Sequence, residues 1–252
     1  MAGTGKVRSR RGATPRATAT ATAQLALDLA RRPTGHGGWR PGAGRPRGRT
    51  RVPHLTRPPC AARHPQHVTL RLVAGLPSLR RHHLVARIRA SIAAAHRDDF
   101  RVVHFAVLAN HVHLVTEASG AASLARGMQG LAIRIARTVN RGLARRGRLF
   151  AERYHARALR TPREVRNALA YVLHNARGHA AARSQRLAAT WIDPCSSGPW
   201  FEDWRRAPAP PPWLRDLRRR PCPTAPARTW LLTTGWRRHG AIALDERGPP
   251  GT

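Results

Sequence analysis

Between about His67 and Ala182 the apolar positions recur at two different periods, and the switching between them outlines a folded unit. His67 to Val73 alternates as a half-buried strand does, and Gly75-Leu-Pro77 ends it. Ser78 then caps a helix predicted to run to about Arg97, with Leu84, Ile88 and Ile92 on one stripe. Arg101 to Leu108 and His111 to Glu117 form a predicted hairpin joined by the tight connection Ala109-Asn110. Ser123 opens a second long helix, predicted to end near Gly147, whose stripe is Leu124, Met128, Leu131, Ile135 and Val139. Leu149 to Leu159 is a fourth predicted strand. Thr161-Pro-Arg-Glu164 then supplies an N-cap, a proline at the first helical position and a capping-box acid for a last helix running to about Gly178.

The order strand, helix, strand, strand, helix, strand is that of an α+β, ferredoxin-like β-α-β-β-α-β antiparallel sheet with its helices on one face, and the last helix is additional. Three segments follow. Residues 67–182 form the folded unit. Residues 183–252 are rich in proline, hold every tryptophan but Trp39, and predict a small appendage or irregular wrapping. Residues 1–66 contain one acid, Asp28, much Gly, Pro and Thr and no sustained periodicity, the composition of a disordered basic arm. Within that arm Arg40-Pro-Gly-Ala-Gly-Arg-Pro-Arg47 resembles an AT-hook, whose Gly-Arg-Pro core would put Arg45 into a narrow minor groove. A solvated basic tail is the plainer alternative.

Charge narrows the function. The 252 residues include 46 basic and 12 acidic side chains, a formal net charge of +34. Lys6 is the single lysine, and such arginine, alanine, proline and glycine usage points to a GC-rich genome. That bias leaves the shortage of acids unexplained, since aspartate and glutamate also have GC-ending codons. A polyanionic partner does explain it, and an anionic membrane surface is the weaker rival because no basic amphipathic segment with a bulky apolar face stands out at either end. Apolar runs such as Phe105 to Ala109 are too short for a bilayer, so an integral membrane protein is excluded. Cys60, Cys195 and Cys222 have neither zinc spacing nor a disulfide framework. The expected location is the bacterial cytoplasm, in association with the nucleoid, although the arginine-rich start is also compatible with a transit peptide.

Candidate chemistry begins at Asn110-His-Val-His-Leu-Val115. On a strand, His111 and His113 share a face while Val112 and Leu114 face the core, which makes either half of a divalent metal site or a ligand-free pair. A histidine-triad hydrolase needs a third same-face histidine where Val115 stands, so that class drops out. His67-Val-Thr69-Leu resembles one half of the paired H-x-T motif of the 2H phosphoesterases, and His111-Val-His113 does not supply the other half. In the last helix Val165, Ala168, Leu169, Val172, Leu173 and Ala176 define a buried face, with Glu164, Asn167, Tyr171, His174 and Asn175 opposite. The chain has two tyrosines, Tyr154 and Tyr171. Arg126, Arg134, Arg137, Arg141 and Arg145 fall within about 100° of arc on the second long helix, a face for phosphate or for water.

From His67 to His179 the chain resembles the IS200/IS605-type Y1 transposases, most closely the REP-associated tyrosine transposases, which are HUH single-strand endonucleases (U, a bulky apolar residue). The resemblance rests on Asn110-His-Val-His-Leu114, on Arg153-Tyr-His155 and on Tyr171-Val-Leu-His-Asn175, together with the element order. It implies an HUH endonuclease fold whose additional helix is catalytic. His111 and His113 would bind Mg²⁺ or Mn²⁺, with Asn175 as third ligand and His174 as its competitor. Imidazole and amide donors suit Mn²⁺ better than Mg²⁺. Tyr171 would attack single-stranded DNA, often at a hairpin, forming a 5′-phosphotyrosine and releasing a 3′-hydroxyl. Tyr154 is the second candidate nucleophile, read as structural or substrate-positioning. Arg153 and Arg157 join the helix arginines as phosphate contacts. Ala176 stands where the family has proline. Monomeric and homodimeric relatives both exist. The rival reading is a catalytically silent, domesticated DNA- or RNA-binding protein on the same scaffold.

Overall fold

The computed structural model describes residues 59–206 and 209–246. Strand β1 (Gln66–Arg71) is followed by helix α1 (His82–Ala93), strands β2 (Phe100–Val107) and β3 (His111–Ala118), helix α2 (Ala121–Gly142), strand β4 (His155–Ala158) and helix α3 (Pro162–Ala181). The sheet order is β2-β3-β1-β4 with every pair antiparallel, the ferredoxin-like arrangement with one helix added. Ala109-Asn110 makes the expected tight turn, closed by the Leu108 N–H on the His111 carbonyl at 2.9 Å.

Each face of the sheet has its own core. On the first, Val68, Leu70, Val112 and Leu114 meet the predicted stripes of α1 and α2, with Leu84, Ile88, Ile92, Met128, Leu131 and Ile135 fully buried. Gly127 lets α2 approach the sheet closely, because an ideal Cβ there would lie 2.1 Å from Cγ of Phe100. On the second face, Val103, Ala106, Val115 and Leu159 pack under α3.

The second core corrects the expectation that α3 has a free polar side. After α3 the chain forms β5 (Trp204–Arg205), α4 (Pro212–Arg218), α5 (Trp230–Thr233) and β6 (Ile242–Ala243), with β5 and β6 paired in parallel. Phe201, Trp204, Leu231, Leu232, Trp236 and Ile242 close over α3, so His174 and Asn175 are buried as well. The tail is held at Glu117, a buried carboxylate on β3. It accepts the N–H groups of Arg228 at 2.9 Å and Thr229 at 2.7 Å and the Thr229 hydroxyl at 2.7 Å, with Arg101 at 3.7 Å.

Several boundaries also shift. Helix α1 begins at His82, without a side-chain cap, because the preceding residues are committed elsewhere. The Ser78 hydroxyl accepts from the Arg80 N–H, the Leu79 N–H binds the Ala109 carbonyl, and Arg80 pairs with buried Asp193 at 2.8 Å. Helix α2 starts two residues before Ser123, whose hydroxyl accepts the Gly120 N–H at 2.9 Å. It stops at Gly142, beyond which Ala144 takes φ 48° and Arg145 leaves the helical face to bond Oδ1 of Asn140 at 2.5 Å. The fourth strand is interrupted. Ala151 donates to Arg71 and Phe150 bridges Leu72, but regular pairing with β1 resumes only at His155.

Candidate active site

Cross-strand register on the second face assembles the site. Thr69 of β1 lies opposite His113 of β3 and His155 of β4, His67 lies opposite Arg157, and Arg71 lies opposite His111. Since side chains two apart share a face, β3 contributes His111 and His113 while β1 contributes His67, Thr69 and Arg71. Helix α3 lays Tyr171 and His179 over this surface. Together with Glu152 these residues line a cavity of about 430 Å³.

His113 is at its centre. Its Nδ1 lies 3.1 Å from Oγ1 of Thr69 and 3.2 Å from Nε2 of His67, and its Nε2 lies 3.4 Å from the Tyr171 hydroxyl. The tautomer protonated at Nδ1 directs the Nε2 lone pair at the phenol and the cavity, as a ligand or proton acceptor requires. For His111 the neighbour fixes the choice. Asn110 Oδ1 accepts its Nδ1–H at 2.7 Å, leaving Nε2 with the lone pair. The two rings stand edge to face, centroids 4.7 Å apart, and His179 is 5.8 Å from His111.

Burial keeps the imidazoles of His113, His111 and His67 neutral near pH 7. Burial, reinforced by the neighbouring His67, His111, His179 and Arg71, pushes the His113 pKa down to about 2. Burial and then His179 and Arg71 lower His111 to about 4, and burial with Arg157 and His155 lowers His67 to about 4. A group so weakly basic is a poor store for the Tyr171 proton near neutrality. The same neutrality keeps both lone pairs available to a cation.

His111 and His113 are the residues that would hold a divalent metal, and the Glu152 carboxylate lies on the same cavity wall. Among the described residues no three His, Cys, Asp or Glu side chains stand close enough to enclose an ion. Neither residue expected as third ligand reaches the cavity. Asn175 is buried with its Oδ1 lacking a hydrogen-bond partner, and His174 packs on Trp204 at 5.4 Å between centroids. Both are turned inward because the tail covers that side of α3.

The two tyrosines part company: Tyr171 lines the cavity, whereas Tyr154 packs against the first core. Of the expected phosphate-binding arginines, Arg157 lines the cavity and forms an exposed ion pair with Glu164 at 3.5 Å. Arg153 is exposed and outside the lining. Arg126, Arg134, Arg137 and Arg141 lie exposed on α2, which covers the opposite face of the sheet, and Arg126 is paired with Asp99 at 2.9 Å. Arg45 and the AT-hook-like segment fall outside the described residues. Residues that sequence reasoning left out of the site are Thr69, Arg71, Glu152, His155 and His179, together with His67, which it connected with a different motif. The H-x-T alternation of β1 was the visible signal for His67 and Thr69.

No protein-family model matches the chain, and no curated protein is significantly similar to it. A solved structure described as a REP-associated tyrosine transposase bound to a REP hairpin is similar over 70% of this chain and 93% of its own length, with 16% identity and a TM-score of 0.46. Among the described residues no helix is long and apolar enough to cross a membrane.

Proposed function

We propose that the protein is a metal-dependent single-stranded DNA endonuclease and strand transferase of the HUH type, acting at DNA hairpins through a 5′-phosphotyrosine on Tyr171. The observation that supports this best is the Tyr171 hydroxyl, 3.4 Å from Nε2 of His113 in a cavity shared with His111. The Tyr171 phenol, the His111 and His113 imidazoles, Arg71 and Arg157 line one cavity of about 430 Å³. The formal charge of +34 supports a polyanionic substrate.

In this reading Arg71 and Arg157 hold the non-bridging oxygens and Tyr171 attacks phosphorus in line. The bond from the phenol oxygen to phosphorus forms as the bond from phosphorus to the 3′-oxygen breaks. The 3′-oxygen leaves as a hydroxyl, and the phenol proton passes to solvent or to that oxygen. A second 3′-hydroxyl reverses the step and joins strands. His111 and His113 would hold Mg²⁺ or Mn²⁺, which when bound would supply Lewis-acid stabilisation of the phosphoryl oxygens. Thr69, His67 and Asn110 orient those imidazoles. The reading also carries a monomeric or homodimeric protein in the bacterial cytoplasm near the nucleoid, with residues 67–182 as the catalytic domain between a basic arm, 1–66, and the extension 183–252.

The test is a denaturing gel with labelled hairpin oligonucleotides and Mn²⁺. Wild type and Tyr154→Phe should form a covalent adduct and Tyr171→Phe none. Hairpin binding by wild type without adduct across a broad library would leave the catalytically silent binding protein as the better reading.

A further inference from the structure

A second cavity, of about 530 Å³, adjoins the catalytic one and shares His111 and His179 with it. Of its other walls the mechanism above uses only Asn110, which orients His111. We propose that it is a nucleobase subsite, taking one unpaired base of the strand whose phosphate lies against Tyr171. The proposal rests on the nuclease reading and adds to it a determinant of sequence preference.

Three features fit a base. The first is the indole of Trp191 in the wall, a platform of the kind on which single-stranded bases stack. Its loop is stapled to α3 by Arg177, which donates to the carbonyls of Ala188 at 2.9 Å and Trp191 at 3.1 Å while its guanidinium lies 5.9 Å from the indole centroid. The platform is therefore presented by a fixed segment. The second feature is the mixture of surfaces. Leu76 and Leu108 give apolar wall, and the side chains of Asn110 and Gln185 give donors and acceptors of the type that read a base edge. The third is charge. Arg183 lines the cavity and no carboxylate among the described residues does, which suits a base arriving with its phosphate. The volume is in the range of ordinary small-ligand sites. Sharing His111 and His179 with the catalytic cavity puts the pocket within reach of the nucleotide neighbouring the attacked phosphate.

The experiment uses the full chain carrying Tyr171→Phe, so that binding is read without turnover. Fluorescent hairpin oligonucleotides, each with one abasic residue in the single strand, are titrated by anisotropy. One position should lose about tenfold in affinity, the scale of a single base–aromatic stack. With Trp191→Ala added, that abasic substitution should cost nothing further, and Trp191→Phe should restore most of the loss. Gln185→Ala, at an exposed position that the fold does not need, should reduce discrimination among the four bases at the same place. A flat abasic scan overturns the subsite, and so do abasic and Trp191→Ala losses that multiply independently. Adduct formation by the chain with Tyr171 intact is read separately. A flat scan with adduct removes only the subsite, whereas a Trp191-coupled scan without adduct removes only the nuclease chemistry.

Discussion

Tyr171 and His113, 58 residues apart in the chain, meet with the phenol oxygen 3.4 Å from Nε2, so the hydroxyl occupies the direction from which a cation would approach that lone pair. In the proposed reaction nucleophile and metal would compete for one nitrogen until substrate draws the phenol toward phosphorus.

Removing the hydroxyl should therefore help the metal. Tyr171→Phe is expected to tighten Mn²⁺ binding several-fold, the worth of one modest hydrogen bond of about 1 kcal/mol, while His113→Ala and His111→Ala lose binding. Calorimetric titration of Mn²⁺ into each variant decides the matter, and weaker binding by Tyr171→Phe would assign the phenol oxygen itself as a ligand.

Thr69 acts through His113. Thr69→Val keeps the shape and removes the oxygen 3.1 Å from Nδ1. Metal affinity and adduct rate should fall about 10- to 100-fold, as for other groups that orient metal-binding histidines. Thermal stability should change by only about 1 kcal/mol. A loss confined to stability would make Thr69 a packing residue.

Two glycines of α2 should respond oppositely to alanine. Gly127→Ala drives a methyl into the buried Phe100 ring and should cost about 1–3 kcal/mol. At Gly130 nothing lies within 4 Å of the added carbon, so alanine should stabilise the helix by about 0.5–1 kcal/mol. Urea midpoints of the two variants measure both signs.

Stability should fall in mild acid. Burial lowers His104 to about 4, partly offset by Asp203, and lowers His174 to about 4 together with Arg177, against Glu246. The unfolded chain takes up these protons near the ordinary value of 6.5 and the folded chain does not. The contribution is thus complete above about pH 6.5 and drains away as pH drops toward 4, about tenfold in the folding constant per pH unit for each such group. Urea midpoints between pH 7 and 4.5 should show this slope, and His104→Gln should make it shallower.

The scaffold was legible because its signals are local. The stripes Leu84, Ile88, Ile92 and Leu124, Met128, Leu131 name the buried faces of α1 and α2, and Ala109-Asn110 fixes the β2-β3 hairpin. Half the site was legible in the same way, since His111 and His113 share a face by period two alone. The remainder depends on non-local register. Nothing near residue 69 says that Thr69 will lie between His113 and His155. Asn175 and His174 misled for a related reason. Their positions fall on the polar side in helical projection, and the tail, with Trp204 some thirty residues on and Phe201, Leu232 and Trp236 beside it, turns that side into core.

Glu117 has a practical consequence for anyone wishing to make the protein smaller. A version ending before Arg228 would leave this carboxylate inside the sheet with Arg101 as its remaining partner, a few residues along the strand from both imidazoles. An ionised group stripped of most of its donors weakens the element that contains it. Compact derivatives should therefore exchange Glu117 and its buried partner Arg101 together for apolar residues in the same step that removes the tail.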